Sequence, residues 1–300
     1  MFRPLGKNRR VLASVIVPVR NRPDQIGPAV GSLLRQTTRD LEVIVVDDAS
    51  TDSTVTVAKA IADPRVTVIE LEASLGPSGA RNAGARLATG ELIGFLDSDD
   101  TVESTWLAHL AEPFSDASVV VASCGYRVLV DGEEVRRQLR LTSLGPAFHN
   151  LRGCFQAGTF LIRRTVFEAV GGYVDQLRYG ENTELSLRLC DWAAEHDANV
   201  AAVEEALLHW NLHHRGAYSA AMQADGARYT LEQHGHLLAL DPFLLANHHA
   251  IIATGAAHDR KWRAAQSHFF QAWRALPTNK RAIARLLVSL APIWRTRQWP

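Results

Sequence analysis

Over the first hundred residues, short runs rich in β-branched side chains alternate with segments of helical period. That alternation limits the fold more than any other feature of the chain. VLASVIVPV (Val11–Val19), LEVIVVDDAS (Leu41–Ser50), RVTVIEL and ELIGFLD read as buried strands. Between them, PDQIGPAVGSLLRQT (Pro23–Thr37) puts Ile26, Val30, Leu33 and Leu34 on one helical face. STDSTVTVAKAIA (Ser50–Ala62) opens on Ser, Thr and Asp capping candidates, and SGARNAGARLATG (Ser78–Gly90) is a helix stopped at Gly90. Strands that alternate with helices in this way pair in parallel and are covered on both faces. The expected class is α/β, with a mostly parallel central sheet flanked by helices.

In such a sheet, ligands bind in the crevice beyond the carboxyl ends of the strands. Three strands deliver polar groups there: Pro18-Val19-Arg20-Asn21, Asp47-Asp48 and Asp97-Ser98-Asp99-Asp100. The last group crowds three acids into four residues at the end of a buried strand. Like charges so close repel, and each loses water if partly buried, so either a positive group or open solvent must face them. No GxGxxG follows the first strand and no GxxxxGK[ST] occurs, which excludes the usual dinucleotide-dehydrogenase and P-loop signatures.

Composition narrows the class further. Apolar residues make up 47% of the chain and charged ones 21%, enough for a large core and unlike a disordered protein. The formal net charge is zero, but nine Lys/Arg and no Asp or Glu fall between Arg260 and Pro300, leaving 23 bases against 32 acids in the first 259 residues. An acidic body with a basic tail suits one site that gathers cations and one surface that meets anions. Cys124, Cys154 and Cys190 are few, odd in number and far apart, which argues against a disulfide framework or a zinc site and fits a reducing compartment. The start reads as the lead into a strand rather than a signal peptide, and no stretch reaches the ~18–20 apolar residues of a membrane span.

Further along, SVVVASCGYRVLV and AGTFLIRR add strands with some antiparallel pairing. From about Ala220 the pattern is helical, and residues 260–294 read as two amphipathic helices joined at Pro277-Thr278-Asn279. In this order, four stretches carry a resemblance: SVIVPVRNRPDQIGPAVGSLLRQT, VIVVDDASTDST, GPSGARNAGARLATGELIGFLDSDD and FLIRRTVFEAVGGYVDQLRYGENTELSLRL. Over roughly residues 12–220 the chain resembles the glycosyltransferase family 2 enzymes of the GT-A fold. This implies a GT-A domain over 1–220 and a helical extension over 221–300 that packs on the core, a second subunit or a membrane.

The resemblance implies an enzyme that binds a nucleotide-diphospho-sugar, a UDP-sugar being favoured, with Mn²⁺ or Mg²⁺, and transfers the sugar with inversion to a glycan or lipid-linked acceptor. Nucleic acid is not an expected partner. Asp97-Ser98-Asp99 resembles the family's DxD motif. Asp99 is then the metal ligand, Asp97 contacts ribose or metal-bound water, and Asp100 caps the following helix. Asp48 matches the position that meets the base, with Pro18, Val19 and Arg20 lining the same pocket. Arg81 meets a phosphate or the acidic cluster. Ser74 stands where the family commonly has Asn.

Inverting transfer needs a base to take the acceptor proton. In YGENTELSLRL the second acid of the family's acidic pair is replaced by Asn182, which leaves Glu181 as the base and Glu184, one helical turn on, as the alternative. Arg188 is read as a structural partner of one of them. His213 and His214 are candidates for completing the metal or diphosphate site, and Trp210 either stacks on a sugar or packs. His248-His249 reads as ordinary surface. The basic helices over 260–300 either pack, on the core or in a homodimer, or contact the inner membrane face from the cytoplasm. Asn182 also motivates a second reading, a non-catalytic nucleotide-sugar binding protein. A nucleotidyltransferase fits less well, because no glycine-rich loop with a following basic residue succeeds the first strand.

Overall fold

The computed structural model describes residues 12–130, 132–138, 141–212, 219–278 and 280–290. His213, His214, Asn279 and the first eleven residues, on which several sequence expectations fall, lie outside them. The chain divides into two compact units.

The first unit runs β1 (Ala13–Val19), α1 (Pro23–Leu34), β2 (Leu41–Asp47), α2 (Thr54–Lys59), β3 (Val66–Glu70), α3 (Gly76–Ala85) and β4 (Leu92–Phe95). It continues through β5 (Thr101–Val102), α4 (Trp106–Ala111), β6 (Val119–Val130), β7 (Glu133–Gln138), β8 (Phe160–Arg163), α5 (Arg164–Ala169), the second half of α6 (Glu181–Glu195) and β9 (Asn199–Asn211). Among the described residues the sheet has nine strands, in the order β3-β2-β1-β4-β8-β6-β9-β5, with β7 paired on β6. β3, β2, β1 and β4 run parallel, as the alternation predicts. β8 is antiparallel between β4 and β6, and β9 returns parallel to β6.

The strand order reverses around β1, because β2 and β3 add on one side and β4 on the other. A crevice therefore opens at the carboxyl ends of these strands. Val15 and Val17 of β1 and Val43 and Val45 of β2 are buried, and α1 covers them with Ile26, Val30 and Leu33. α3 lies close against the other face. A Cβ on Gly84 would stand 2.6 Å from Ile16 Cγ2 and 2.9 Å from Val46 Cγ2, so glycine lets this helix approach.

Two boundaries differ from the sequence pattern. β2 stops at Asp47 because Ala49 takes a left-handed φ of 57° and the Asp47 carboxylate accepts the Ser50 N–H at 2.9 Å, closing a turn. α3 spans Gly76–Ala85 rather than Ser78–Gly90. Gly90 sits instead against β1, its N–H donating to Ser14 Oγ at 2.8 Å. The thiols are set for packing rather than reaction: Cys124 and Cys190 are buried, and burial pushes the Cys190 thiol up to about 12.

The second unit contains the first half of α6 and four further helices, α7 (Ala220–Leu238), α8 (Pro242–His258), α9 (Trp262–Ala275) and α10 (Lys280–Leu290). Ser219 caps α7 by accepting from Met222 N, and Asp241 caps α8 by accepting from Phe243 N and Leu244 N. Ala253, Ala256 and Ala257 of α8 pack on Ala265 and Phe269 of α9, with Leu286 of α10 against them. No helix among the described residues is long and apolar enough to cross a membrane.

The reading of His248-His249 as surface is corrected here. His248 is buried with Nδ1 on Leu244 O, and His249 Nδ1 lies 3.0 Å from His268 Nδ1 of α9. The dipeptide, set between Asn247 and Ala250, gave no sign of a partner nineteen residues on. Burial holds His249 down to about 4 from an ordinary 6.5, and it lowers His248 and His268 as well. The unfolded chain therefore takes up these protons first. The neutral pair's contribution to stability is complete above about pH 6.5 and is lost as pH falls towards 4. Thermal melts across this window should show a steeper fall in midpoint for the parent chain than for His249→Gln.

Candidate active site

The acids after β4 are not left facing water. Asp97 is paired with Arg81 of α3, Nη2 to Oδ1 at 2.7 Å, and Arg81 is itself buried. Asp99 is paired with Arg22, Nη1 to Oδ2 at 2.8 Å, and Arg22 Nη1 also reaches Ser98 Oγ at 3.4 Å. One carboxylate oxygen from each of Asp97, Asp99 and Asp100 lies within 4.8 Å of the others. The donor set is all hard oxygen and carries three negative charges against two nearby guanidinium groups. It suits Mg²⁺ or Mn²⁺, which take carboxylate oxygens and keep waters for phosphate.

Asp100 does not cap a helix. Its Oδ1 accepts from Asn211 N at 2.9 Å, and Asn211 Nδ2 donates to Asp99 O at 2.9 Å. The two-residue strand β5 explains this. Thr101 and Val102 pair with His209 and Leu208 of β9 directly after the acids, so the loop is pinned to β9 rather than running into a helix. The next helix, α4, begins at Trp106.

Arg81 is aimed from two sides. Its guanidinium lies 5.2 Å from the ring centroid of Tyr173, a cation–π distance. The neighbouring Asn82 fixes Tyr173 by donating to its carbonyl at 2.7 Å and accepting its N–H at 2.9 Å. Adjacent residues of α3 thus hold one aromatic and one acid in register.

At the ends of β1 and β2, Val19 O accepts Asp48 N at 2.8 Å. The Asp48 side chain is buried and accepts three hydrogen bonds: Ser74 Oγ at 2.7 Å, Leu75 N at 2.6 Å and Gly76 N at 2.9 Å. Ser74 Oγ in turn accepts from Arg20 Nη1 at 2.8 Å. Ser74, the departure from the family pattern, therefore links Arg20 to Asp48. A carboxylate offers about four acceptor positions, so Asp48 keeps about one beyond those that anchor the loop before α3. Asn21 and Ala49 both have left-handed φ, 51° and 57°, where only the surrounding bonds sustain such backbone for residues other than glycine. Asn21 N donates to Ser50 Oγ and Thr51 N to Asn21 Oδ1, each at 2.9 Å.

In the second unit Glu181 opens α6 and is partly exposed, while Glu184 is buried and 2.9 Å from His234 Nε2. His234 sits at the kink of α7, with φ −120° and ψ 24°. A second point fixes the same segment: a Cβ on Gly226 would lie 2.2 Å from Tyr179 O. α7 therefore holds the segment Tyr179–Glu184 both at Gly226 and at His234. Gly226→Ala should displace that segment and destabilise the chain by about 1–3 kcal/mol, measured by denaturant unfolding. Arg188 donates to Val170 O. Trp210 packs edge-on against Tyr126 with centroids 5.6 Å apart, and its indole Nε1 is buried with no acceptor among the described residues.

Sequence reasoning missed Arg22, Asn82, Tyr173, Asn211 and His234. The first three lie inside the matched stretches, but nothing in their spacing names a partner. Asn211 and His234 act across long separations in sequence.

The family described as Glycosyl transferase family 2 matches residues 14–173. Succinoglycan biosynthesis protein ExoO of Rhizobium meliloti is 37% identical over 174 residues, 55% of this chain and 50% of that protein. The chain spans about half the length of the curated relatives it matches first. Among solved structures, S. aureus TarS 1–349 in complex with UDP-GlcNAc has a TM-score of 0.65 at 19% identity, covering 94% of this chain and 86% of that one. Mannosyltransferase PcManGT from Pyrobaculum calidifontis, in complex with GDP-Man and Mn²⁺, has a TM-score of 0.60 at 21% identity, covering 95% and 86%. At these identities the two structures speak to the fold.

Proposed function

The chain belongs to glycosyl transferase family 2 and has the GT-A fold, and from that premise we propose that it transfers a sugar from a nucleotide-diphospho-sugar, a UDP-sugar being favoured, to an acceptor hydroxyl with inversion. The observation that carries this reading is the set of three carboxylates at the end of β4, balanced by Arg81 and Arg22. The binding of UDP-GlcNAc by TarS and of GDP-Man and Mn²⁺ by PcManGT supports the donor class. The name of ExoO, a succinoglycan biosynthesis protein, supports a role in polysaccharide synthesis, and the acceptor proposed is a glycan or a lipid-linked sugar.

Asp99 would hold the divalent ion, which when bound offsets charge on the leaving diphosphate, and Asp97 would contact ribose or a metal-bound water. Asp97 also turns Arg81 toward the same place, and Arg81 is the candidate phosphate contact. Pro18, Val19 and Arg20 line the base pocket, with the remaining acceptor position of Asp48 for a ring N–H. His213 or His214 would complete the metal or diphosphate site. Glu181 takes the acceptor proton as the new C–O bond forms at the anomeric carbon and the bond to the diphosphate breaks. Its partial exposure supports this choice, while burial of Glu184 against His234 supports a positioning role for the second acid.

Asn182 favours one competing reading, a binding protein of the same fold without turnover. Release of nucleoside diphosphate from UDP-, GDP- and dTDP-sugars, each with Mn²⁺, Mg²⁺ or EDTA and with a pool of lipid-linked and soluble acceptors, tests both. Metal-dependent release from one nucleotide class is the expected result. Tight donor binding with no release in any combination supports the binding protein instead.

A further inference from the structure

We propose that the outward faces of α9 and α10 form a docking surface for an anionic lipid bilayer. α9 packs inward through Ala265, Phe269 and Ala272. Its opposite face carries Arg263, Ser267, Phe270 and Arg274, spaced by three or four residues and all exposed, so they share one stripe. Phe270 is 45% exposed and Trp273 36%, their rings 5.5 Å apart. Two large aromatics paired on the solvent side of an amphipathic helix do no work in the unit's core. α10 repeats the pattern. Leu286 and Ser289 turn inward, while Leu287 and Leu290 are 57% and 55% exposed, with the exposed Lys280 two turns before Leu287 on the same face.

Charge selects the occupant. From Arg260 to Pro300 the sequence holds nine Lys/Arg and no acid. The acid just before it, Asp259, is 2.9 Å from Lys261. A second copy of this face would bring base against base, whereas an anionic headgroup layer complements it. Aromatics and leucines between arginines are what an interfacial helix needs: apolar side chains enter the acyl boundary and the bases meet headgroups. No helix among the described residues is long and apolar enough to span the bilayer, and the proposed contact is made by the faces of these two helices.

The test is sedimentation of the full chain with phosphatidylcholine vesicles, with and without phosphatidylglycerol, at low and high salt. Binding is expected on the anionic vesicles, with a clear loss at high salt and little on the neutral ones. Phe270→Ser with Trp273→Ser, and separately Arg263→Gln with Arg274→Gln, should each lower the bound fraction about tenfold. Because these side chains are exposed, unchanged melting temperatures will show that the variants fold. No binding to anionic vesicles overturns the proposal, as does binding that neither pair of substitutions weakens. A dimer in solution that Phe270→Ser with Trp273→Ser converts to monomer assigns the face to a second copy instead. None of these outcomes depends on the sugar-transfer reading.

Discussion

Asp99→Asn should lower kcat/KM for metal-dependent sugar transfer by about 10²–10³-fold while leaving the fold intact. The substitution keeps the shape of the side chain but removes the charge that a hard divalent ion requires. Asp99 is buried and held by Arg22, so its carboxylate is already oriented before any ligand arrives. Removing that charge leaves Arg22 partly uncompensated, but Arg22 is itself about a third exposed, so water can solvate it and little stability is lost. Asp100→Ala should behave differently. Its Oδ1 accepts the Asn211 N–H beside a buried loop, and losing that acceptor costs about 1–3 kcal/mol of stability. Parallel melts and rate measurements on the two variants separate the ligand from the anchor. Near-parental turnover of Asp99→Asn in Mn²⁺ contradicts the assignment.

Glu181→Gln should lower kcat by about 10²–10⁴-fold with little change in KM for donor, the signature of a lost proton acceptor. Glu184→Gln should do the reverse, weakening the unit by about 1–3 kcal/mol through the His234 contact and changing kcat much less. The contrast follows from burial. A base must meet an acceptor hydroxyl, and Glu184 is enclosed between α6 and α7 whereas Glu181 is partly exposed. If Glu184→Gln abolishes turnover without lowering the melting temperature, the roles exchange. If neither change affects turnover, the base lies elsewhere in the chain.

The parallel half of the sheet was legible because strands buried on both faces must be nearly continuous in apolar, β-branched residues. Val15–Val17 and Val43–Val46 are such runs. The place of the candidate site is read from where those runs stop, since Arg20, Asp48 and Asp97 all lie just past a strand end. What could not be read is how the charges are balanced. Arg22 lies 77 residues from Asp99 in sequence, and the Asn82–Tyr173 bonds that aim Arg81 span 91 residues. Such partners exist only once α1, α3 and the acid loop are packed. Asp100 was misplaced for the same kind of reason: an acid before a polar run looks like a helix cap, but a two-residue strand intervenes and pins it to β9. The second unit was least legible. It joins residues 145–150 and 177–187 to the C-terminal helices, and its His249–His268 contact crosses two of them.

The central claim is that the carboxylates after β4 bind donor through a divalent ion. Calorimetric titration of UDP-sugar into the parent chain and into Asp99→Asn, each with Mn²⁺ and with EDTA, tests it most directly. Binding by the parent in Mn²⁺, lost in EDTA and in Asp99→Asn, is the predicted result. Equal affinity in all four titrations would contradict it and move donor recognition to the Asp48–Ser74–Arg20 side of the crevice alone.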